Sequence, residues 1–167
     1  MKYSTFEELP VWKASIQFAL RVFEFTAIAD YRGLGDTKNQ LERAALSISN
    51  NIAEGFERGS TKDLINFLYI ARGSAGESRS MLRLCESTPR FSNFKSEISS
   101  LISEAIGISK QLHGWLGSLK DSNIKGVKYF NKQTKRNVEQ DKEFEEFDRE
   151  MARYKRELEE RLMQRAR

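Results

Sequence analysis

Residues 40–58, QLERAALSISNNIAEGFER, place two helical stripes side by side in one segment. The first stripe is apolar and repeats at steps of three and four residues, as in a helix that packs one face into a core. It consists of Leu41, Ala44, Ala45, Ile48, Ile52 and Phe56. The second stripe is polar and consists of Arg43, Ser47, Asn51 and Glu54. The segment therefore predicts a helix with one core-facing stripe and one hydrogen-bonding stripe.

The preceding segment predicts another helix, from Pro10 to about Ala29. Proline suits the first turn, where its missing N–H would have had no helical partner. This helix also has two apolar stripes, and an isolated helix in a monomer seldom needs both. One stripe contains Trp12, Ile16, Ala19, Leu20 and Phe23, and the other contains Val11, Phe18, Val22 and Phe25. We expect the bundle core to bury one stripe and a subunit interface to bury the other.

Start and stop signals place three further helices. A Thr-x-x-Gln capping box at Thr37–Gln40 opens the second helix, and Ser60–Asp63 opens the third after a very short turn. Pro89 separates the third helix from a fourth, which runs to about Asp121. Four amphipathic helices with mostly short connections predict an all-α fold, an antiparallel up-down-up-down four-helix bundle over residues 1–121.

Residues 122–138 are predicted to form a basic linker. They carry five Lys or Arg residues and no Asp or Glu, with two aromatic residues among the cations. Cations neutralise phosphates and aromatic rings stack on unpaired bases, so RNA or single-stranded DNA is one expected ligand. The alternative is a solvated linker whose cations keep it extended or touch the acidic tail. The candidate nucleic-acid-binding residues are Lys125, Lys128, Tyr129, Phe130, Lys132, Lys135 and Arg136.

Residues 139–167 are predicted to form an additional, charged amphipathic C-terminal helix. Acidic residues outnumber basic ones by ten to eight in this segment. An apolar stripe repeats at steps of three and four residues but covers fewer than three heptads, which is short for a coiled coil. We expect it to dock on a partner or on another copy of the bundle, through Phe144, Phe147, Met151, Tyr154 and Leu158.

Composition argues against several classes of function. The chain of 167 residues has one cysteine, Cys85, and one histidine, His113. A ferritin-like di-metal site needs two Glu-x-x-His motifs, and no phosphate-binding loop or dinucleotide-binding motif occurs. We therefore expect no enzyme, no metal and no cofactor. The absence of a signal-like start and of a run of about 20 apolar residues predicts a cytoplasmic protein that does not insert into a membrane.

Three groups of residues carry a resemblance to a known family. They are Phe6, Leu9, Val11 and Trp12; Asn51, Ile52, Ala53, Glu54 and Gly55; and Phe67, Leu68, Ile70, Ala71, Gly73, Ser74 and Glu77. Together they resemble the 23S rRNA intervening-sequence proteins, a family of small bacterial four-helix-bundle proteins related to the accessory variability determinants of diversity-generating retroelements. The resemblance covers about residues 6–121, and the departures are Ser49, where proline is common in the family, and the long tail.

The resemblance implies a homo-oligomer, expected to be a pentameric barrel, without catalytic activity. In the retroelement branch it also implies binding of nucleic acid and of a reverse transcriptase. The competing interpretation is an oligomeric protein-interaction scaffold that does not bind nucleic acid and that captures a partner through its C-terminal helix.

Four polar residues, which we call the polar seam, require two interpretations: Arg43, Asn51, Glu54 and Glu77. In the first they specify the fold, with Asn51, Glu54 and Glu77 bonding across the contact between helices two and three or to Arg43. In the second they form a shared ligand or partner surface. The close approach of the two helices is assigned to small residues, namely Ala44, Ala45, Ser47, Ala53, Gly73, Ser74 and Ala75.

Overall fold

The computed structural model describes residues 3–120 and confirms the all-α prediction for this part of the chain. The predicted linker and C-terminal helix lie outside the described residues. Four long helices follow one another, with short 3₁₀ segments at Phe6–Glu8 and Pro89–Phe94. The helices are α1 (Pro10–Ile28), α2 (Thr37–Glu57), α3 (Thr61–Ser87) and α4 (Lys95–Lys120).

Each long helix packs against two of the others. Helices α1 and α3 both contact α2 and α4, whereas α1 does not pack on α3 and α2 does not pack on α4. Ser47 of α2 bonds to Ser74 of α3, and Gly55, further along α2, contacts Phe67, which comes earlier in α3. The order of these contacts shows that the two helices run antiparallel, which places their small residues level with one another.

The core confirms the apolar stripe predicted for α2. All six of its members are buried, and all but Ala44 belong to one core cluster with residues such as Leu68, Leu82 and Leu101 from α3 and α4. One end of the bundle is filled by aromatic rings that pack edge-to-face or tilted against Phe25, at centroid distances of 5.7–6.2 Å. These rings are Tyr31, Phe91 and Phe94.

One predicted helix cap is confirmed and one is wrong. Ser60 caps α3, since its hydroxyl accepts the Asp63 N–H at 3.3 Å. Thr37 is not a cap but the first residue of α2, and its hydroxyl donates to the carbonyl of Leu34 instead. The capping box fails because Asp36 takes the N-cap position, where its carbonyl accepts the first helical hydrogen bond, from the N–H of Gln40.

A glycine ends α2 and makes the very short turn into α3 possible. Gly59 follows the C-cap residue Arg58 with φ +65°, and its N–H bonds to the carbonyl of Phe56. Glycine adopts this left-handed conformation without the steric cost that a side chain imposes. The turn brings α3 back along α2 and so sets the register of the polar seam.

Candidate functional site

The charged members of the polar seam on α2 bond within their own segment. Arg43 forms an ion pair with Asp36 at 3.0 Å, and Glu54 forms one with Arg58 at 2.6 Å. The prediction that Glu54 bonds across the helix contact or to Arg43 is therefore wrong. Glu54 and Arg58 are four residues apart on one helix and within direct reach, whereas Arg43 reaches seven residues back to Asp36 at the N-cap of α2, so each charge is paired without another helix. The Arg58 guanidinium also lies over the Phe67 ring, 4.7 Å from its centroid.

Asn51 belongs to a chain of side-chain hydrogen bonds that runs from α2 to α3. Its amide donates to the carbonyl of Ser47 at 2.7 Å and to the Ser47 hydroxyl at 2.9 Å. The Ser47 hydroxyl also bonds to that of Ser74 at 3.0 Å, and this bond joins α2 to α3. The predicted bond from Asn51 across the helix contact is thus replaced by an indirect one, through a serine. Satisfying these polar groups is what their partial burial requires.

The closest approach of α2 and α3 occurs at a glycine that was not among the predicted close-packing residues. A Cβ atom on Gly55 would lie 2.7 Å from the Cβ of Phe67 and 3.3 Å from the Cα of Leu64. The assignment of Gly73 to this contact is wrong, because a Cβ there has nothing within 4 Å and the residue faces outward. Gly55 closes the Asn51–Gly55 run, so part of this run is explained by helix packing alone.

Two members of the polar seam line one cleft on the surface. The cleft has a volume of about 180 Å³ and lies between α2 and α3. Arg43 and Glu77 both line it, whereas Asn51 and Glu54 do not. It therefore presents a guanidinium and a carboxylate to one small polar space. The other lining residues are Gln40, Ala44 and Ser47.

Large apolar side chains are exposed on α1 and on α3. On α1 the buried stripe is Val11, Phe18, Val22 and Phe25, as one of the two predicted stripes requires. From the other stripe Ala19 is buried, but Leu20 and Phe23 are 50% and 39% exposed. On α3, Ile70 and Leu84 are 52% and 49% exposed. We call Leu20 and Phe23 the α1 outer stripe, and Ile70 and Leu84 the α3 outer stripe.

Basic residues gather on one flank of the bundle, and the sequence analysis did not identify them. On α3, Tyr69, Arg72, Gly76, Arg79 and Arg83 follow one another at steps of three and four residues. On α4, Lys110, His113, Gly117 and Lys120 do the same. The two rows meet where the Lys120 ammonium lies 5.1 Å from the centroid of the Tyr69 ring. We call these nine residues the basic face. The net charge of the bundle does not reveal this face, because the bundle as a whole is nearly neutral.

The single histidine and the single cysteine, the two residues considered for catalysis, differ in their exposure to solvent. His113 is exposed on α4, whereas Cys85 is buried, with its sulfur 3.8 Å from the hydroxyl of Tyr31. Burial raises the pKa of the Cys85 thiol, which disfavours the nucleophilic thiolate. Within residues 3–120, no group of three or more His, Cys, Asp and Glu side chains is arranged to hold a metal ion. Nor does any helix of that part combine the length and apolar character needed to cross a membrane.

Comparison with known proteins links this geometry to a family. A solved structure similar to this chain is that of a protein with unknown function from the S23 ribosomal protein family of Bacteroides thetaiotaomicron. The two sequences are 26% identical, the TM-score is 0.58, and the match covers 64% of this chain and 97% of that chain. No curated protein matches the sequence. The family model of the 23S rRNA-intervening sequence protein matches residues 7–114, and neither description names an enzyme. Because the family model matches more than half of this chain, the chain belongs to the 23S rRNA-intervening sequence protein family.

Proposed function

We propose that this protein is a non-catalytic, homo-oligomeric accessory protein that binds nucleic acid in the cytoplasm. It acts alone or together with a ribonucleoprotein or a reverse transcriptase. The observation that carries the proposal is the exposure of the α1 and α3 outer stripes on helices that do not contact each other. Single exposed apolar residues are common, but several on two opposite sides of one bundle favour assembly.

The position of the two stripes favours a closed ring. Because α1 and α3 lie across the bundle from each other, they form two different surfaces, not one self-complementary patch. Contact between unlike surfaces on successive copies is heterologous and forms a ring when the rotation closes. A pentamer is the stoichiometry that the family resemblance implies. Leu20 and Phe23 of one copy would then be covered by the Ile70 and Leu84 side of the next.

Assembly multiplies weak contacts with nucleic acid. The described bundle is nearly neutral, with 14 Lys or Arg against 13 Asp or Glu in residues 3–120. The predicted linker, residues 122–138, adds five cations and no acid to each copy. Once one copy is bound, its neighbours act at a high effective concentration on the same strand. Phosphate contacts of this kind are tolerant of sequence and sensitive to salt.

The assembly is tested by measuring mass in solution. We expect native mass spectrometry and light scattering of the parent to give a closed oligomer. Phe23→Glu and Ile70→Glu should each reduce it to smaller species while circular dichroism still reports a helical fold. Ser103→Glu adds the same charge at an exposed position of α4 and serves as the control. A monomeric parent contradicts the proposed assembly.

Nucleic-acid binding is tested separately on the full chain. Retardation of labelled RNA and single-stranded DNA is measured at low and at physiological salt. We expect the parent to bind both, and a variant with all five linker cations changed to Gln to bind more weakly. If the parent retards neither probe at low salt and purifies without nucleic acid, the nucleic-acid half of the proposal is wrong.

The second candidate function is a protein-interaction scaffold without nucleic-acid binding. Its support is the acidic excess and the apolar stripe of residues 139–167, from Phe144 to Leu158. Here the C-terminal helix captures a protein partner, for which a reverse transcriptase is one candidate. Deleting residues 139–167 should then abolish capture of the partner from an extract of the native host. The number of subunits in the oligomer should remain unchanged. Retention of partner capture by that truncated chain contradicts this candidate.

A further inference from the structure

We propose that the basic face is a binding site for the phosphate backbone of single-stranded nucleic acid, separate from the linker cations. This inference rests on the proposed function and assigns it a second site, in the folded bundle. It starts from the distribution of charge on α3 and α4. Five cationic side chains and one histidine lie on this flank: Arg72, Arg79, Arg83, Lys110, Lys120 and His113.

The acids of α3 are kept on another flank of that helix. Ser74 bonds to Ser47, so this position marks the side of α3 that faces α2. Asp63 and Glu77 lie at helical spacing from Ser74, eleven residues before it and three after it, on the same side. Glu86 is the exception, and it is paired with Arg83 at 2.6 Å.

The acids of α4 are held on the side that faces α1. Arg21 of α1 forms ion pairs with Glu97, at 2.6 Å, and with Glu104. The α4 row from Lys110 to Lys120 has no acid among its members. Among residues 3–120, a phosphate at the basic face therefore meets cations without a nearby unpaired carboxylate to repel it.

The two rows run level with each other along the bundle. Tyr69 and Lys120 are in contact, and α3 and α4 are neighbours joined by a short connection. Arg79 lies ten residues after Tyr69, and Lys110 lies ten residues before Lys120. At 1.5 Å per residue both are about 15 Å from that contact, so Arg79 and Lys110 lie level with each other and the cations of the two rows are spread along a track. Such a track follows a strand, whereas a single cluster would suit one small anion.

The surface between the cations lies open to an approaching backbone. Gly76 of α3 and Gly117 of α4 occupy the middle of their rows, and a Cβ at either position would have nothing within 4 Å. Phosphate groups can therefore come close to the helices without a side chain in the way. The side chains of Arg79 and Lys110 make no hydrogen bond or ion pair with another residue between 3 and 120. Both are exposed and available to phosphate.

An exposed tyrosine at one end favours a single strand over a duplex. Tyr69 is 43% exposed beside Lys120, and a ring in this setting stacks on an unpaired base. A duplex keeps its bases stacked on each other and offers the ring nothing equivalent. An acidic protein segment would use the cations but has no planar base to place on the tyrosine.

The test compares two double variants of the full chain that remove equal charge. Arg79→Gln with Lys110→Gln removes one level of the track, and Lys13→Gln with Lys38→Gln removes two exposed or half-exposed cations from α1 and α2. Affinity for a labelled single-stranded oligonucleotide is measured at several salt concentrations. We expect the first variant to bind at least about tenfold more weakly. The slope of the logarithm of its binding constant against the logarithm of the salt concentration should fall in magnitude by about 1.4, since each lost phosphate contact removes about 0.7. We expect the control variant to bind like the parent.

Further arms separate the alternatives. Tyr69→Ala should weaken single-strand binding and leave any duplex binding unchanged. The inference is overturned if the parent binds but Arg79→Gln with Lys110→Gln binds equally well, a result that leaves the proposed function and its linker site intact. It is also overturned if polyglutamate displaces the oligonucleotide at equal charge concentration, because the face is then a general polyanion surface. Circular dichroism and mass measurement confirm that each variant is folded and assembled.

Discussion

Gly55 of α2 lies so close to Phe67 of α3 that a Cβ atom on the glycine would stand 2.7 Å from the Cβ of the phenylalanine. The atom it would meet belongs to the stiff base of the side chain, and the backbone of Leu64 is only 3.3 Å away. Neither neighbour can move aside without shifting the helix. This contact and the nearby Ser47–Ser74 bond fix how α2 lies on α3.

We therefore expect Gly55→Ala to destabilise the fold by about 1–3 kcal/mol, the usual cost of forcing extra volume into a packed contact. The matched control is Gly73→Ala, in the same kind of helix interior but with open space around it. There alanine should stabilise by about 0.5–1 kcal/mol, because it lowers the entropy of the unfolded chain. Urea denaturation of both variants measures the difference, and equal effects would contradict the packing role of Gly55.

Arg43→Ala should leave the protein folded. The side chain is 70% exposed and its ion pair with Asp36 spans the helix start, where such a pair contributes about 0.2–1 kcal/mol. If the cleft beside Glu77 holds a ligand or a partner, the variant loses binding while it keeps its melting temperature and its mass. Loss of folding or assembly in Arg43→Ala would instead assign this residue to fold specification.

Arg21→Gln should weaken the contact between α1 and α4. Arg21 donates to Glu97, Glu104 and Ser100, and all its ionic partners are partly shielded from solvent. We expect a loss of about 1 kcal/mol, more than a lone exposed pair provides. Arg83→Gln, which breaks only the pair with Glu86, is the control and should cost about 0.2–0.5 kcal/mol. Thermal melts at low and high salt test this, since screening should reduce the cost of Arg21→Gln.

Stability should fall in alkaline solution because of two groups in contact, the buried Cys85 and the partly buried Tyr31. Burial raises the pKa of Cys85 above its ordinary 9.0 and that of Tyr31 above its ordinary 10.0. The unfolded chain releases these protons first, so their contribution is complete below about pH 8 and is lost as the pH rises beyond the ordinary values. Urea denaturation at about pH 7 and about pH 10 measures the loss.

The control for this pH effect is the double variant Cys85→Ala with Tyr31→Phe, which should show a smaller loss between the two pH values. An equal loss would mean that other groups cause it. The native thiol should also react slowly with a disulfide reagent at neutral pH and rapidly after unfolding, since burial disfavours the thiolate.

Much of the fold was predictable because local chemistry specifies it. Pro10 begins α1 and Ser60 caps α3, as their residue types indicate, and the apolar stripe of α2 is buried throughout. The start of α2 was placed one residue wrongly, because Thr37 and Asp36 are both good caps and the turn before them decides between the two.

The candidate site was less predictable, because partner choice depends on distances that the sequence does not contain. Asn51 and Glu54 were predicted to bond across the helix contact or to Arg43, yet all three residues have partners in their own segment. The basic face was missed because its cations are spread over 49 residues from Arg72 to Lys120. They come together only when α3 and α4 lie side by side.

By itself, then, the sequence determined the class of fold, the four helices and the family, because helical periodicity, caps and the motif around Asn51–Gly55 are local properties of the chain. Tertiary structure alone decided that Gly55 and not Gly73 carries the α2–α3 contact, which stripe of α1 stays exposed, and which charges share a surface. The physical reason is that helix formation depends on neighbours three and four residues away, whereas close packing and surface charge depend on register between helices. At Gly55 that register is visible as a gap too small for one methyl group.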